Sequence, residues 1–142
     1  MIRVAGAAMM IAGASAWGLL GVWRLRARLR TLEALCAALE EMRSEITARL
    51  TPIPEVIAGL SRGRETPVSV FFRRVEKKLP LLGAASFGEL WRQAAEESPE
   101  LMLRSDELTA LKAVGHALGR YDAEAQDREL AALSRRFEDY RR

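Results

Sequence analysis

The sequence has one cysteine, Cys36, and one histidine, His116, among its 142 residues. A single thiol cannot form an internal disulfide, and one cysteine with one histidine does not supply the ligands of the usual zinc sites. His116 has no accompanying serine or cysteine nucleophile in a recognisable motif, so we interpret it as a structural or surface histidine. We therefore expect no metal, no cofactor and no catalytic residue.

The sequence also lacks the glycine-rich loop, followed by Lys and Ser or Thr, that cradles nucleotide phosphates. Its three lysines, Lys77, Lys78 and Lys112, fall inside predicted helices instead. Neighbouring acids such as Glu96 and Glu97 point in different directions on a helix, so they do not predict shared acid–base chemistry. The chain is therefore predicted not to be an enzyme and to bind no small-molecule substrate.

No charged residue occurs between Val4 and Trp23. A helix of that length, rising about 1.5 Å per residue, spans a hydrocarbon core of about 30 Å. Residues 1–23 are therefore predicted to be a transmembrane anchor. A cleavable signal peptide is the competing interpretation, because Ala14-Ser15-Ala16 has the small residues of a cleavage site, but apolar residues continue beyond it to Trp23.

Four arginines follow the predicted span, whereas Arg3 alone precedes it. Basic residues concentrate on the cytoplasmic side of membrane spans and contact anionic headgroups there. The predicted membrane-flanking residues are Arg24, Arg26, Arg28 and Arg30. This asymmetry predicts a single-pass topology with a cytoplasmic C-terminal domain.

The rest of the sequence predicts helices only. Residues 24–50 carry apolar residues at three- and four-residue steps, which indicates a long juxtamembrane amphipathic helix continuous with the anchor. The composition, 49% hydrophobic and 29% charged, is that of a folded chain. Residues 51–142 are predicted to form one small domain that packs with 24–50 as a unit, and no segment alternates as a strand would.

Polar residues and prolines divide this domain into shorter helices. Thr51 is expected to cap a helix with Pro52 at its first position, and Thr66-Pro67 is expected to start the next helix in the same way. Ser86 and Ser105 are expected to start two further helices, and a left-handed Gly119 to end the second of them. Asp122 is expected to cap the last helix.

Short motifs along the chain resemble those of the stage III sporulation protein AB (SpoIIIAB) family of endospore-forming bacteria. The family pattern has a basic-ended N-terminal span, a long helix leading to a Thr-Pro-hydrophobic step, and a late Leu-Gly-x-x-Asp segment followed by Gln. The corresponding residues here are Thr51-Pro52-Ile53, Leu118-Gly119-Arg120-Tyr121-Asp122 and Gln126, and Gly115 also fits. From their own chemistry, the two glycines favour close packing or a tight turn.

The resemblance implies a non-enzymatic subunit of the channel-like complex that joins the mother cell to the developing forespore. It implies a place in the outer forespore membrane, with the domain on the mother-cell side, and a fold similar to the type II secretion F protein domain. The implied partners are the stage III sporulation protein AA ATPase, which this subunit would dock at the membrane, and other subunits of the complex.

Members of that family usually finish with a second hydrophobic span, whereas this sequence stops at Arg141-Arg142. We expect a second span to be missing from the sequence, with a one-span form as the other interpretation. Two other function classes stay open: a soluble or secreted helical regulator or adaptor, and a nucleic-acid-binding protein. The second is disfavoured because acids are interleaved with the Arg-Arg pairs and no nucleic-acid-reading module is apparent.

Overall fold

A computed structural model describes residues 2–119 and 123–142, without the side chains at positions 2–5, 7, 8, 11, 16 and 123–125. These residues form α-helices and two short 3-10 turns, at Leu79–Leu81 and Pro99–Leu101, and contain no β-strand. The α-helices are α1 (Ile2–Thr47), α2 (Ile53–Ser61), α3 (Pro67–Lys78), α4 (Phe87–Glu96), α5 (Ser105–Leu118) and α6 (Ala123–Arg141). The all-α prediction is confirmed.

Helix α1 is one uninterrupted helix of 46 residues, as the sequence predicted for the anchor and the juxtamembrane segment. Every described side chain before Ala27 is exposed, whereas Leu32, Leu35, Leu39 and Met42 are buried in the domain. These buried residues recur at three- and four-residue steps, so they lie on one face of the helix. The first half of α1 therefore stands clear of the domain, and the second half belongs to its core.

Among the described residues, no helix has both the length and the apolarity needed to cross a bilayer. The predicted span, Val4 to Trp23, includes six residues whose side chains lie outside the description, at positions 4, 5, 7, 8, 11 and 16. The span therefore stays a prediction.

The C-terminal end of α1 differs from the sequence prediction. The helix ends at Thr47 instead of Leu50, and Leu50 adopts a left-handed conformation with φ of 55°. The Thr51 N–H then donates to the Glu45 carbonyl at 2.9 Å, and the Thr51 hydroxyl donates to the Glu45 carboxylate at 2.9 Å. The prediction that Thr51 caps α2 is wrong, because Thr51 closes α1 and Pro52 takes the position before α2 without a side-chain hydrogen bond.

Helices α3 and α4 start where the sequence predicted. The Thr66 hydroxyl accepts from the Ser69 N–H at 3.1 Å, and the Ser69 hydroxyl accepts from the Thr66 N–H at 2.9 Å. The Ser86 hydroxyl accepts from the Glu89 N–H. These bonds satisfy amides that a helix start would leave unpaired.

Helix α5 departs from the prediction at both ends. Ser105 is its first helical residue and Arg104 precedes it, so the expected cap at Ser105 is wrong; the Glu107 carboxylate accepts the Arg104 N–H at 2.7 Å. Gly119 has φ of −77° and ψ of −1°, so the expected left-handed cap is also wrong. Asp122, the expected cap of α6, lies outside the described residues.

The helices pack side by side, with α6 antiparallel to α1 and α5 antiparallel to α4. Arg43 of α1 pairs with Asp127 at the start of α6, and Glu33 lies 3.9 Å from Arg141 at its end. The domain therefore has two ends. The near end, where α1 joins it, holds residues 28–31, 64–68 and 98–107, and the far end holds 47–54, 79–88 and 116–119.

An aromatic cluster occupies the centre of the domain. Phe71, Phe72 and Trp91 are fully buried, with ring centroids 5.0 to 5.9 Å apart in edge-to-face arrangements. The Trp91 indole N–H donates to the Leu111 carbonyl at 2.7 Å, so its polar atom is satisfied in the core. This hydrogen bond fixes α4 against α5.

Candidate functional site

The four predicted membrane-flanking arginines do not share one environment. Arg24, Arg26 and Arg30 are exposed. Arg28 points into the near end of the domain, where its guanidinium pairs with the Glu107 carboxylate on α5. Arg28 is therefore engaged within the protein, and three exposed arginines remain beside the predicted span.

The pair formed by Arg28 and Glu107 is not among the sequence predictions. The side chain of Glu107 is only 1% exposed and that of Arg28 is 15% exposed. The same carboxylate accepts the Arg104 N–H, so one buried acid holds both α1 and the start of α5. A signal is present in the sequence, since Arg28 lies four and seven residues before Leu32 and Leu35 and hence on the buried face of α1.

At the far end, three of the described motif residues, Ile53, Leu118 and Gly119, line one groove although they are distant in sequence. Thr51 and Pro52 connect α1 to α2, and Gly119 follows α5. Gln126 is buried on α6, and its side-chain N–H donates to the Leu118 carbonyl at 3.0 Å. Gln126 therefore satisfies a carbonyl at the end of α5, the place where the left-handed glycine was expected.

Gly115 lies one turn before the end of α5, directly against Trp91. A Cβ atom at position 115 would lie 2.6 Å from the Cβ of Trp91. The close packing expected at this glycine is therefore present, and it is what allows α5 to approach the aromatic cluster.

An apolar groove opens beside these residues. It lies between the start of α2, the turn after α3 and the end of α5, and its lining includes Ile53, Leu79, Leu82, Phe87 and Leu118. Leu82 on its lining is 44% exposed; Leu81, the residue before it, is 52% exposed, and Leu50, three residues before Ile53, is 81% exposed. Contiguous apolar surface of this kind is typical of protein interaction sites.

Neither Cys36 nor His116 forms a reactive arrangement with the other described residues. Cys36 is half-buried, and burial, partly offset by the positive charge of Arg141, raises the pKa of its thiol above the ordinary value. A raised pKa lowers thiolate content and hence nucleophilicity. His116 is exposed, and its imidazole lies against Gly88.

Glu96, the last residue of α4, and Glu97, which follows it, pair with bases on different helices. Glu96 contacts Lys112 of α5 at 2.7 Å, and Glu97 contacts Lys78 of α3 at 3.0 Å. The expectation that these neighbouring carboxylates diverge is confirmed. In the part of the chain that the structure describes, no three metal-binding side chains converge.

Comparison with known proteins places this arrangement in a family. The model of the stage III sporulation protein AB family matches residues 3–141. The chain belongs to the stage III sporulation protein AB family. A solved structure of a stage III sporulation protein AB is 26% identical, covers 82% of this chain and 91% of its own, and has a TM-score of 0.75. The comparison with curated proteins gives no match. The resemblance inferred from the motifs is thus confirmed.

Proposed function

We propose that this stage III sporulation protein AB is a non-enzymatic, membrane-anchored subunit of the channel-like complex between mother cell and forespore. In this proposal α1 enters the outer forespore membrane from the mother-cell cytoplasm, and the domain docks the ATPase of the complex, stage III sporulation protein AA. The observation that carries the proposal is the division of α1 into an exposed apolar half and a half that is part of the core.

The anchor is supported by the side chains that the first half of α1 exposes. Met9, Met10, Trp17 and Trp23 are 71 to 83% exposed, and Leu19 and Leu20 are 60% exposed. Leaving such surface in water forfeits about 25 cal/mol for each Å² that lipid would cover. The absence of charge from Val4 to Trp23 supports the same role. We accordingly propose residues 1–23 as the anchor, 24–50 as the juxtamembrane helix and 51–142 as the remainder of the domain.

The docking role is supported by the position of the apolar groove. The groove lies at the far end of the domain, so an anchored α1 would direct it away from the membrane and toward the cytoplasm. A soluble ATPase would meet this end first. We propose the ATPase as its occupant, and a fold similar to the type II secretion F protein domain for the helices that form it.

The docking proposal is tested by co-purification of the ATPase with the full chain from sporulating membranes. We expect Leu82→Asp to abolish recovery of the ATPase, because a carboxylate in the groove would have to be desolvated. Ala132→Asp, which places a carboxylate at an exposed position on α6 outside the groove, is the control and is expected to recover the ATPase normally. Equal recovery with both variants would contradict docking at the groove.

The role of the anchor is tested by repeating the co-purification with a chain that lacks residues 1–23. This chain is expected to bind the purified ATPase in solution but to leave it out of the membrane fraction. A failure of the full chain and the shortened chain alike to bind the ATPase would contradict the docking role. Detection in cells of a mature N-terminus near Trp17 would instead favour the secreted regulator.

A further inference from the structure

The arginines of this protein differ in whether a described carboxylate lies within ion-pairing distance. Seven have a carboxylate within 4.0 Å, in three cases on another α-helix; these are Arg28, Arg43, Arg49, Arg73, Arg74, Arg92 and Arg141. Arg24, Arg30, Arg64 and Arg104 are exposed, and no carboxylate among the described residues pairs with any of them. What distinguishes these four is their position, because they lie together at the near end, next to the proposed span, where exposed guanidinium groups can bind anions.

These four arginines lie around Met102 at the near end. Arg24 and Arg104 line a shallow groove with Met102 on one side, and Arg30 and Arg64 line a second groove with Met102 on the other. They come from α1, the loop before α3 and the residue before α5, so three separate segments supply the charge. We call Arg24, Arg30, Arg64, Arg104 and Met102 the arginine collar.

Met102 gives the collar an apolar tip. It follows the 3-10 turn Pro99–Leu101 in a left-handed conformation, with φ of 51° and ψ of 35°, which side-chain-bearing residues seldom adopt. Its N–H donates to the Pro99 carbonyl at 3.0 Å, so the turn is closed and the side chain is held outward at 39% exposure. Leu25, on the wall of the first groove, is 53% exposed.

We propose that the arginine collar binds the phosphate groups of anionic phospholipids in the membrane that α1 enters, with Met102 reaching the boundary between headgroups and acyl chains. The inference rests on the proposed anchor. The span would end at Trp23, and Arg30 lies only about 10 Å further along α1. Guanidinium groups bind phosphate oxygens in a bidentate manner. The collar therefore sets the near end of the domain against the membrane surface and leaves the far-end groove facing the cytoplasm.

The test uses the full chain in vesicles with a fluorophore at position 102, introduced by Met102→Cys in a Cys36→Ser background. The vesicles contain phosphatidylcholine alone or with phosphatidylglycerol, and a small fraction of the phosphatidylcholine carries a headgroup nitroxide that quenches the fluorophore. Retention of the chain by neutral vesicles after an alkaline carbonate wash reports the anchor separately.

We expect stronger quenching in the anionic vesicles, reversed by high salt because exposed charges are screened. Removing two arginines, by Arg64→Gln with Arg104→Gln, is expected to lower the ratio of docked to undocked domain by about 25-fold, or about fivefold for each arginine. The matched control, Arg49→Gln with Lys77→Gln at the far end, also removes two exposed positive charges and is expected to change nothing.

Equal quenching in neutral and anionic vesicles by a chain that stays anchored in both would overturn the collar and leave the anchor standing. An equal loss of quenching with the far-end control would also overturn it, since the effect would then come from net charge. Recovery in the carbonate supernatant, with quenching still specific for anionic vesicles, would overturn the anchor and support the collar. Reversal of docking by millimolar inorganic phosphate would show a site for free phosphate and overturn the lipid assignment.

Discussion

At the scale of single residues, the contact between Gly115 and Trp91 decides how closely α4 and α5 approach. Trp91 cannot move aside, because its indole N–H is bonded to Leu111 and its rings contact Phe71 and Phe72. The absence of a side chain at position 115 is therefore a packing requirement, and not a requirement for unusual backbone geometry.

Gly115→Ala tests this requirement. The added methyl group would overlap Trp91, so we expect the free energy of unfolding to fall by about 1–3 kcal/mol, the usual cost of overpacking. Gly59→Ala is the matched control, because position 59 is helical with nothing within 4 Å; it is expected to gain about 0.5–1 kcal/mol. Urea unfolding of the full chain in mild detergent measures both, and equal stability of the two variants would contradict the packing account.

The pair of Arg28 and Glu107 supports a second prediction. Glu107→Ala leaves a largely buried guanidinium without its partner, so we expect a loss of about 3 kcal/mol or more in the same measurement. Arg28→Met combined with Glu107→Leu removes both charges and is expected to cost much less. A double variant less stable than Glu107→Ala would show that the pair itself, and not the stranded charge, provides the stability.

Cys36 supports a prediction about reactivity. Burial raises the pKa of its thiol, so at pH 8 a smaller fraction is thiolate than in a free cysteine. We expect alkylation by iodoacetamide to be several-fold slower than that of glutathione, to accelerate with rising pH, and to reach the glutathione rate in urea. An alkylation rate above that of glutathione in the folded protein would instead indicate an activated cysteine.

At the scale of helices, the packing of α6 against the end of α5 depends on Gln126. Gln126→Ala leaves the Leu118 carbonyl without this donor in a buried position, so we expect a loss of about 1–3 kcal/mol. Gln93→Ala is the control, since Gln93 bonds only to the neighbouring Glu89 on the same helix and is expected to have a much smaller effect. Equal losses in the free energy of unfolding from the two variants, measured in urea, would contradict a specific role for Gln126 in holding α6 against α5.

The helix boundaries that the sequence predicts correctly are those set by local contacts. Thr66 and Ser86 bond to residues three positions ahead, so the information lies within one helical turn. The predictions for Thr51 and Gly119 are wrong because other helices supply the partners at these positions. The Thr51 hydroxyl donates to Glu45 in the preceding helix, and the side chain of Gln126 on α6 donates to the Leu118 carbonyl at the end of α5.

The candidate site can be predicted from the sequence only in part. The uncharged segment and the arginines that follow it form a linear pattern, which the amino-acid order alone makes visible. The collar forms no such pattern, because Arg64, Met102 and Arg104 come together only when α3 and α5 pack against α1. Glu107 looks in the sequence like an acid at a helix start, and its partner lies 79 positions earlier in the chain.

At the scale of the whole molecule, α1 sets the direction from the near end of the domain to its far end. Its exposed half precedes the domain, and its buried half extends from the near end to the far end, so a single rigid element relates the proposed membrane surface to the proposed ATPase groove. Because α1 is continuous, the position of its first half fixes the position of its second half. The two surfaces can therefore be altered independently, with Met102 at one end and Leu82 at the other.

The central claim is that the first half of α1 is inserted in a membrane, and carbonate extraction of sporulating membranes tests it most directly. We predict that the full chain stays in the pellet, and that Gly13→Arg with Ala14→Arg, at the middle of the span, moves it to the supernatant, because each charge at the bilayer centre costs about 2.5–3.5 kcal/mol. Arg24→Gln is the control and is expected to stay in the pellet. Release of the unaltered chain by carbonate would contradict the anchor.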